Sequence, residues 1–210
     1  QANEWKQNKN LEIETKKLIK NLIVDFDKTF VDLESAFKWF SESDRRMNLF
    51  FENVYVEKNP ISLDSVQTLA YTFFLSENFS PSLTTYNNAL SSGKLNLIDN
   101  RKLLYSFTEF FESYDIYKNI NEKDQNNFYY GTAWDLKKEI GSVRQLFSIK
   151  KHQELTGKKI TREHYYKLIN SKIVFIYFEN RMVIVNNMLT QIKNMMEANK
   201  KILHELKQTR

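Results

Sequence analysis

Residues 178–206 read FENRMVIVNNMLTQIKNMMEANKKILHEL, and their spacing decides the fold. Phe178, Met182, Val185, Leu189, Ile192, Met196, Leu203 and Leu206 step along the chain by three, four or seven, with Asn199 at the one polar position of the same series. A seven-residue apolar repeat of this length is the signature of a long helix packed along a single seam. Asn199 either sets register or oligomeric state, or marks a helix end leaving the core; the second is the expectation. The N-terminal end carries a matching stripe. Leu11, Leu18, Leu22, Phe26, Phe30, Leu33, Phe37 and Phe40 recur at helical spacing, widened by Ile19 and Ile23, which predicts an amphipathic helix over roughly 3–40. At SESD (41–44) this helix either bends or gives way to a second one running through RRMNLFFENVYV.

Between these ends the punctuation changes. Pro60 and Pro81 mark breaks, Ser62 and Ser82 are expected N-caps, and Gly93 sits where a helix C-terminus needs a left-handed residue. From Asn100 helical spacing returns with Leu103, Phe107, Phe110 or Phe111, and Tyr114 on the buried face. NEKDQ (121–125) reads as a kink or short turn, and helical spacing then resumes on Trp134, Ile140, Val143 and Phe147, weakened by Gly131 and Gly141. Gly157 stops that segment and Thr161 caps the next. The expectation is an all-α helical bundle, one domain over 1–210, with long N- and C-terminal helices packed antiparallel and shorter helices between. Its parts are a long helical segment over 1–56, short helices and loops over 57–100, a helical segment over 101–170 and a long helix over 171–210. Four glycines and two prolines in 210 residues fit long helices better than sheets with their many turns.

The chemistry legible in the residues is sparse. There is no cysteine, which excludes disulfides, thiol nucleophiles and cysteine-held metals. His152, His164 and His204 do not fall at metal-ligating spacing and read as solvated surface residues. Asp25 with Asp27, and Glu42 with Asp44, stand two apart, so each pair diverges on its helix and reads as a solvated face. The aromatic run FYYGTAW (128–134) is the one stretch that suggests a stacking surface or ligand pocket, although a core stripe is the expected reading. No catalytic, metal or cofactor-binding residue is assigned, and no enzymatic activity is expected. The charge is uneven. Between Val143 and Lys172 eight basic residues face two acids, a net +6 against +5 for the whole chain. Lys150, Lys151, Lys158, Lys159, Arg162 and Lys167 are thus the candidate contacts for an anion, a lipid surface or nucleic acid, the last an unlikely partner because no reader motif accompanies them.

The opening residues QANEWKQNKN and the central TTYNNALSSGKLNLIDNRKLLYSFTEFFESY resemble an uncharacterised family of small single-pass membrane proteins common in Bacteroidetes. Gln1, Asn3 and Trp5 stand in the places where that family leaves its membrane helix, and Tyr86, Leu90, Ser92, Gly93, Leu95, Ile98 and Asn100 match its central pattern. The resemblance implies an inner-membrane protein whose N-terminal span precedes Gln1 and whose helical domain faces the periplasm. Trp5 would then be a membrane-interface anchor. The lysines following it, Lys6, Lys9, Lys16, Lys17 and Lys20, favour the cytoplasmic side instead. The expected function is a non-catalytic protein-interaction or sensory role, with a partner protein or a second copy meeting the C-terminal helix. The alternative is nucleic-acid or anionic-lipid binding through residues 144–172.

Overall fold

The computed structural model describes residues 2–56 and 61–209, with side chains from Glu4 onward. The break expected at Asn59–Pro60 lies outside the described residues, as do Gln1 and the side chain of Asn3. Among the described residues the chain is helical, without strands. Helix α1 spans Ala2–Phe51, ending in a π turn over Glu52–Val56, and α2 spans Leu63–Tyr71, ending in a 3-10 turn over Thr72–Phe74. Then follow α3 (Thr84–Ser91), α4 (Arg101–Tyr130), α5 (Thr132–Ile140), α6 (Arg144–Phe147), α7 (Ile149–Thr156), α8 (Arg162–Ile169) and α9 (Lys172–Gln208). The predicted caps at Ser62 and Thr161 are present: each side chain accepts the backbone N–H three residues on, from Ser65 and His164. Gly93 and Gly157 take the positive φ angles expected of helix stops, 71° and 69°.

Both long helices bury one continuous heptad seam. In α1 and its π turn the seam runs Ile19, Leu22, Phe26, Thr29, Leu33, Ala36, Phe40, Ser43, Met47, Phe50, Val54. In α9 it runs Val174, Phe178, Arg181, Val185, Met188, Ile192, Met195, Asn199, Ile202, Leu206. The steps alternate between three and four without interruption and α1 is continuous through SESD, so no second helix starts there; Ser43 is a buried seam residue. In α9 the expected seam is met at every second position and displaced by one at the others; in α1 it is met at Leu22, Phe26, Leu33 and Phe40 and displaced by one at Phe30 and Phe37, while Leu11 is exposed. Phe30 and Phe37 were read in place of Thr29 and Ala36, and Met182 and Met196 in place of Arg181 and Met195. The true occupants are polar, small or charged, or have an apolar neighbour one residue on.

The chain divides into two compact units: Gln1–Phe37, Phe79–Ile116 and Gln191–Arg210 form unit 1, and Lys38–Asn78 with Tyr117–Thr190 form unit 2. In unit 1, α1 and α9 are antiparallel. Asp27 lies near Lys207 (3.7 Å), the Phe30 ring under Lys200 (5.5 Å) and the Phe37 ring under Lys193 (5.8 Å), so the partners descend along α9 as α1 ascends. Helix α4 joins them through Phe107 and Phe110, whose rings lie 5.4 and 5.7 Å from Phe26. Asp25 is not on a solvated face: its Oδ2 accepts the N–H of Thr85 at 2.9 Å and supplies the first turn of α3 with the cap its own Leu83 cannot. Ser82, the expected cap, instead donates its N–H to Thr29 Oγ1 (3.0 Å), which explains a threonine in the seam.

Asn199 has no such explanation. It is fully buried, and neither its Oδ1 nor its Nδ2 finds a hydrogen-bond partner, so it is not a helix end leaving the core. A buried polar group without partners costs about 1–3 kcal/mol. Asn199→Leu is therefore expected to stabilise the protein by a similar amount in urea denaturation, while sedimentation shows an unchanged oligomeric state. A stability loss, or a new oligomeric state, would show that the amide specifies the seam.

Unit 2 is built on rings. Phe178 stacks on Phe73 (4.1 Å, 18° between planes) and meets Phe50 edge-on (5.1 Å, 86°), and Phe51, Tyr55 and Phe175 extend the cluster outward. The segment expected to be one helix beyond NEKDQ differs from its reading. NEKDQ lies inside α4, and the breaks fall at Gly131, at 141–143 and at Ser148. Ala133, Leu136 and Leu146 are the buried apolar residues there, while Trp134 is exposed. Helix α7 has no side-chain cap from Ser148; Gln67 Oε1 accepts the Ile149 N–H instead (3.0 Å).

Three phenols lock this unit by donating to backbone carbonyls: Tyr55 to Ile169 (2.6 Å), Tyr165 to Leu146 (2.7 Å) and Tyr177 to Phe73 (3.2 Å). Burial pushes all three hydroxyls well above the usual tyrosine value of 10.0. Because the unfolded chain releases these protons first, their contribution is complete below about pH 10 and is lost as pH rises beyond it. Stability should fall by up to about 1.4 kcal/mol per pH unit for each phenol in that range. Urea midpoints measured from pH 8 to 12, with tyrosinate absorbance followed in parallel, test this. Free titration of these tyrosines in the folded protein near pH 10 would contradict it.

Candidate functional site

Unit 2 contains a cleft of about 570 Å³ framed by the 3-10 turn after α2, the end of α4, the start of α5 and one face of α9. Its framing follows from local breaks in the helices. Leu75 is extended (φ −88°, ψ 148°), which turns its carbonyl out of the helical ladder and frees it to accept a side-chain donor. Gly131 separates α4 from α5; a Cβ there would lie 2.9 Å from the Cα of Asn127, so the chain passes this close to the last turn of α4 only without a side chain. Phe73 and Tyr177 are buried at the floor, Phe74, Leu75, Phe128 and Ile184 are half-buried on the walls, and Tyr129, Asn127, Asn180 and Thr132 stand exposed at the rim. The Phe74 and Tyr177 rings stack, 5.3 Å apart.

Two charged side chains line this cleft, Arg181 and Asp124, and they neutralise each other. Arg181 Nη1 donates to Asp124 Oδ2, and Nη2 donates to the freed Leu75 carbonyl at 2.6 Å. Their side chains are 7% and 12% exposed, a burial an ionised pair tolerates only when matched in charge and hydrogen bonding. Sequence reading missed both residues. The signal was an arginine three residues after Phe178 in a seam otherwise apolar, which the pattern stepped over in favour of Met182. The FYYGTAW run, expected to be a core stripe, is not one: of its residues only Ala133 is buried. Tyr130 is 84% and Trp134 47% exposed, while Phe128 and Tyr129 belong to the cleft.

The residues singled out by charge lie elsewhere in unit 2. Lys150, Lys151, Lys158, Lys159, Arg162 and Lys167 are all exposed. Lys151 pairs with Glu154 at 3.2 Å, and Arg162 lies over the Tyr166 ring at 5.6 Å. A second hollow of about 500 Å³ gathers Lys158, Lys159, His152 and His164, but not the other four basic candidates. His152 is not a solvated residue: it is 5% exposed, and its Nδ1 has no hydrogen-bond partner. His164 and His204 are exposed as expected. Trp5 is exposed on α1, with Lys9 Nζ 5.0 Å above its ring.

Among the described residues no group of three or more histidines or carboxylates is placed to hold a metal ion. No helix there is long and apolar enough to cross a membrane. Together these features define an all-α bundle protein with an aromatic, charge-neutral cleft. No family model, no curated protein and no solved structure matches the chain.

Proposed function

We propose that this chain is a non-catalytic sensory domain of a membrane-anchored protein, facing the periplasm, that binds a small molecule in the cleft of unit 2. The observation that carries the reading is the cleft itself. A hollow of this size, lined by aromatic and aliphatic side chains with polar groups interspersed among them, has the dimensions of a small-molecule site. Its one carboxylate is committed to Arg181, so the lining is suited to holding a ligand and not to moving protons. The anchor is supported by the family resemblance and by α1, whose residues 4–14 are exposed on every face, with Trp5, Leu11 and Ile13 among them.

A thermal-shift screen of small-molecule fragments against the protein, repeated with Val183→Trp, tests the binding reading. Val183 is exposed at the rim, so the added bulk narrows the entrance without entering the core. Fragments that raise the midpoint of the native protein but not of the variant support the cleft. A screen without hits, or hits indifferent to the variant, overturns it. Reporter fusions to the C-terminus of the full-length protein test the location, and activity confined to a cytoplasmic reporter would reverse it.

A second reading is favoured by the hollow at Lys158, Lys159 and His164, into whose lining the buried His152 also falls. Here the protein binds a phosphate-bearing polymer or surface, an anionic membrane or a nucleic acid. Binding that weakens steeply with salt and is lost on charge reversal at Lys158 and Lys159 would establish it.

A further inference from the structure

The charges around the cleft limit what it can accept. Burying an ion without a counter-ion is costly, and an arginine already matched by a carboxylate offers an incoming anion little. Arg181 spends Nη1 on Asp124 and Nη2 on the Leu75 carbonyl, so its charge and half of its fork are committed before any ligand arrives. Asp124, in turn, has no charge left for an incoming cation. Lys137 lies 4.6 Å over the Phe128 ring and does not line the cleft. Beside the pair, the lining offers the aromatic side chains Phe74, Phe128, Tyr129 and Tyr177, against which a second ring can pack. The amides of Asn127 and Asn180 at the rim can satisfy a hydroxyl, amide or ring N–H.

We infer that the cleft is selective for uncharged aromatic molecules, with the Arg181–Asp124 pair acting as the filter that excludes both anions and cations. The inference rests on the reading of the cleft as a ligand site and adds the chemical class of its occupant. It also assigns a role to a buried pair that the packing of α9 alone does not require, since a methionine-sized apolar side chain fits the seam pattern at position 181. The pair holds both charges where a ligand would meet them, and cancels them there.

The test uses three probes sharing one ring system: indole (neutral), indole-3-acetate (anionic) and tryptamine (cationic). Each is titrated into the isotopically labelled full chain while amide resonances are followed by NMR. Indole is expected to bind saturably, with shifts concentrated at residues 73–76 and 180–184, and both charged probes at least about tenfold more weakly. Asp124→Asn keeps an acceptor for Arg181 but uncovers its charge, and is expected to reverse the order in favour of indole-3-acetate. Indole-3-acetate or tryptamine binding the unaltered cleft as tightly as indole would overturn the selectivity and leave the cleft a ligand site. An order unchanged by Asp124→Asn would remove the pair from the role of filter. No probe of any charge shifting these residues would overturn the inference together with the site reading beneath it. The wild-type series stands whether or not the variant folds.

Discussion

Arg181→Met should destabilise the protein by about 3–5 kcal/mol, although methionine suits the apolar seam better than arginine does. The loss comes from what stays behind. Asp124, 12% exposed, would keep its charge without a partner, and the Leu75 carbonyl would lose the donor now 2.6 Å away. Replacing both members, Arg181→Met with Asp124→Leu, removes the stranded charge and should recover most of the loss, leaving about 1 kcal/mol for the unpaired carbonyl. Urea denaturation of the two single variants and the double variant closes the cycle. If Arg181→Met were as stable as the double variant, the pair would not be a mutually dependent buried unit, and its role as a charge filter would lose its footing.

Phe178→Ala should cost a similar amount, about 3–5 kcal/mol, for a different reason. Phe178 is fully buried between the face of Phe73 and the edge-on ring of Phe50, and three helical stretches of unit 2 meet on it. Truncation leaves a ring-sized void that its neighbours, each already held by other rings, cannot collapse to fill. Phe175, one turn earlier, touches Phe51 and Tyr55 but is 37% exposed. Phe175→Ala should cost roughly 1–2 kcal/mol because solvent already occupies part of its surroundings. Equal losses for the two would mean that α9 is rotated from the seam described above. Because Phe73 also floors the cleft, Phe178→Ala should loosen the ligand site, whereas Phe175→Ala should leave it intact.

How much of this was legible beforehand depended on the residue type at each position. Large apolar residues of the seams are buried as expected: Phe178, Val185, Ile192 and Leu206 in α9, and Leu22, Phe26, Leu33 and Phe40 in α1. The alternate seam positions were misread where a polar, small or charged residue lay beside an apolar one. Thr29 and Ala36 lost to neighbouring phenylalanines, and Arg181 to Met182. A pattern of hydrophobicity cannot register a side chain buried for a hydrogen bond or an ion pair, because its partner lies far away in sequence. Thr29 is buried by Ser82, 53 residues on, and Arg181 by Asp124, 57 residues back.

The sequence by itself determined the helical class, the two long terminal helices, and the caps at Ser62 and Thr161 with the stops at Gly93 and Gly157. All of these rest on interactions between residues a few positions apart, where periodicity, side-chain capping and left-handed glycines act. Only the tertiary structure decided that Tyr129, Tyr130 and Trp134 of FYYGTAW are exposed, that His152 is buried, that Asp25 caps α3 from another helix and that Arg181 and Asp124 meet in an aromatic cleft. Each depends on the crossing of elements distant in the chain, and burial of a charge or an imidazole is set by those neighbours and not by the residues beside it.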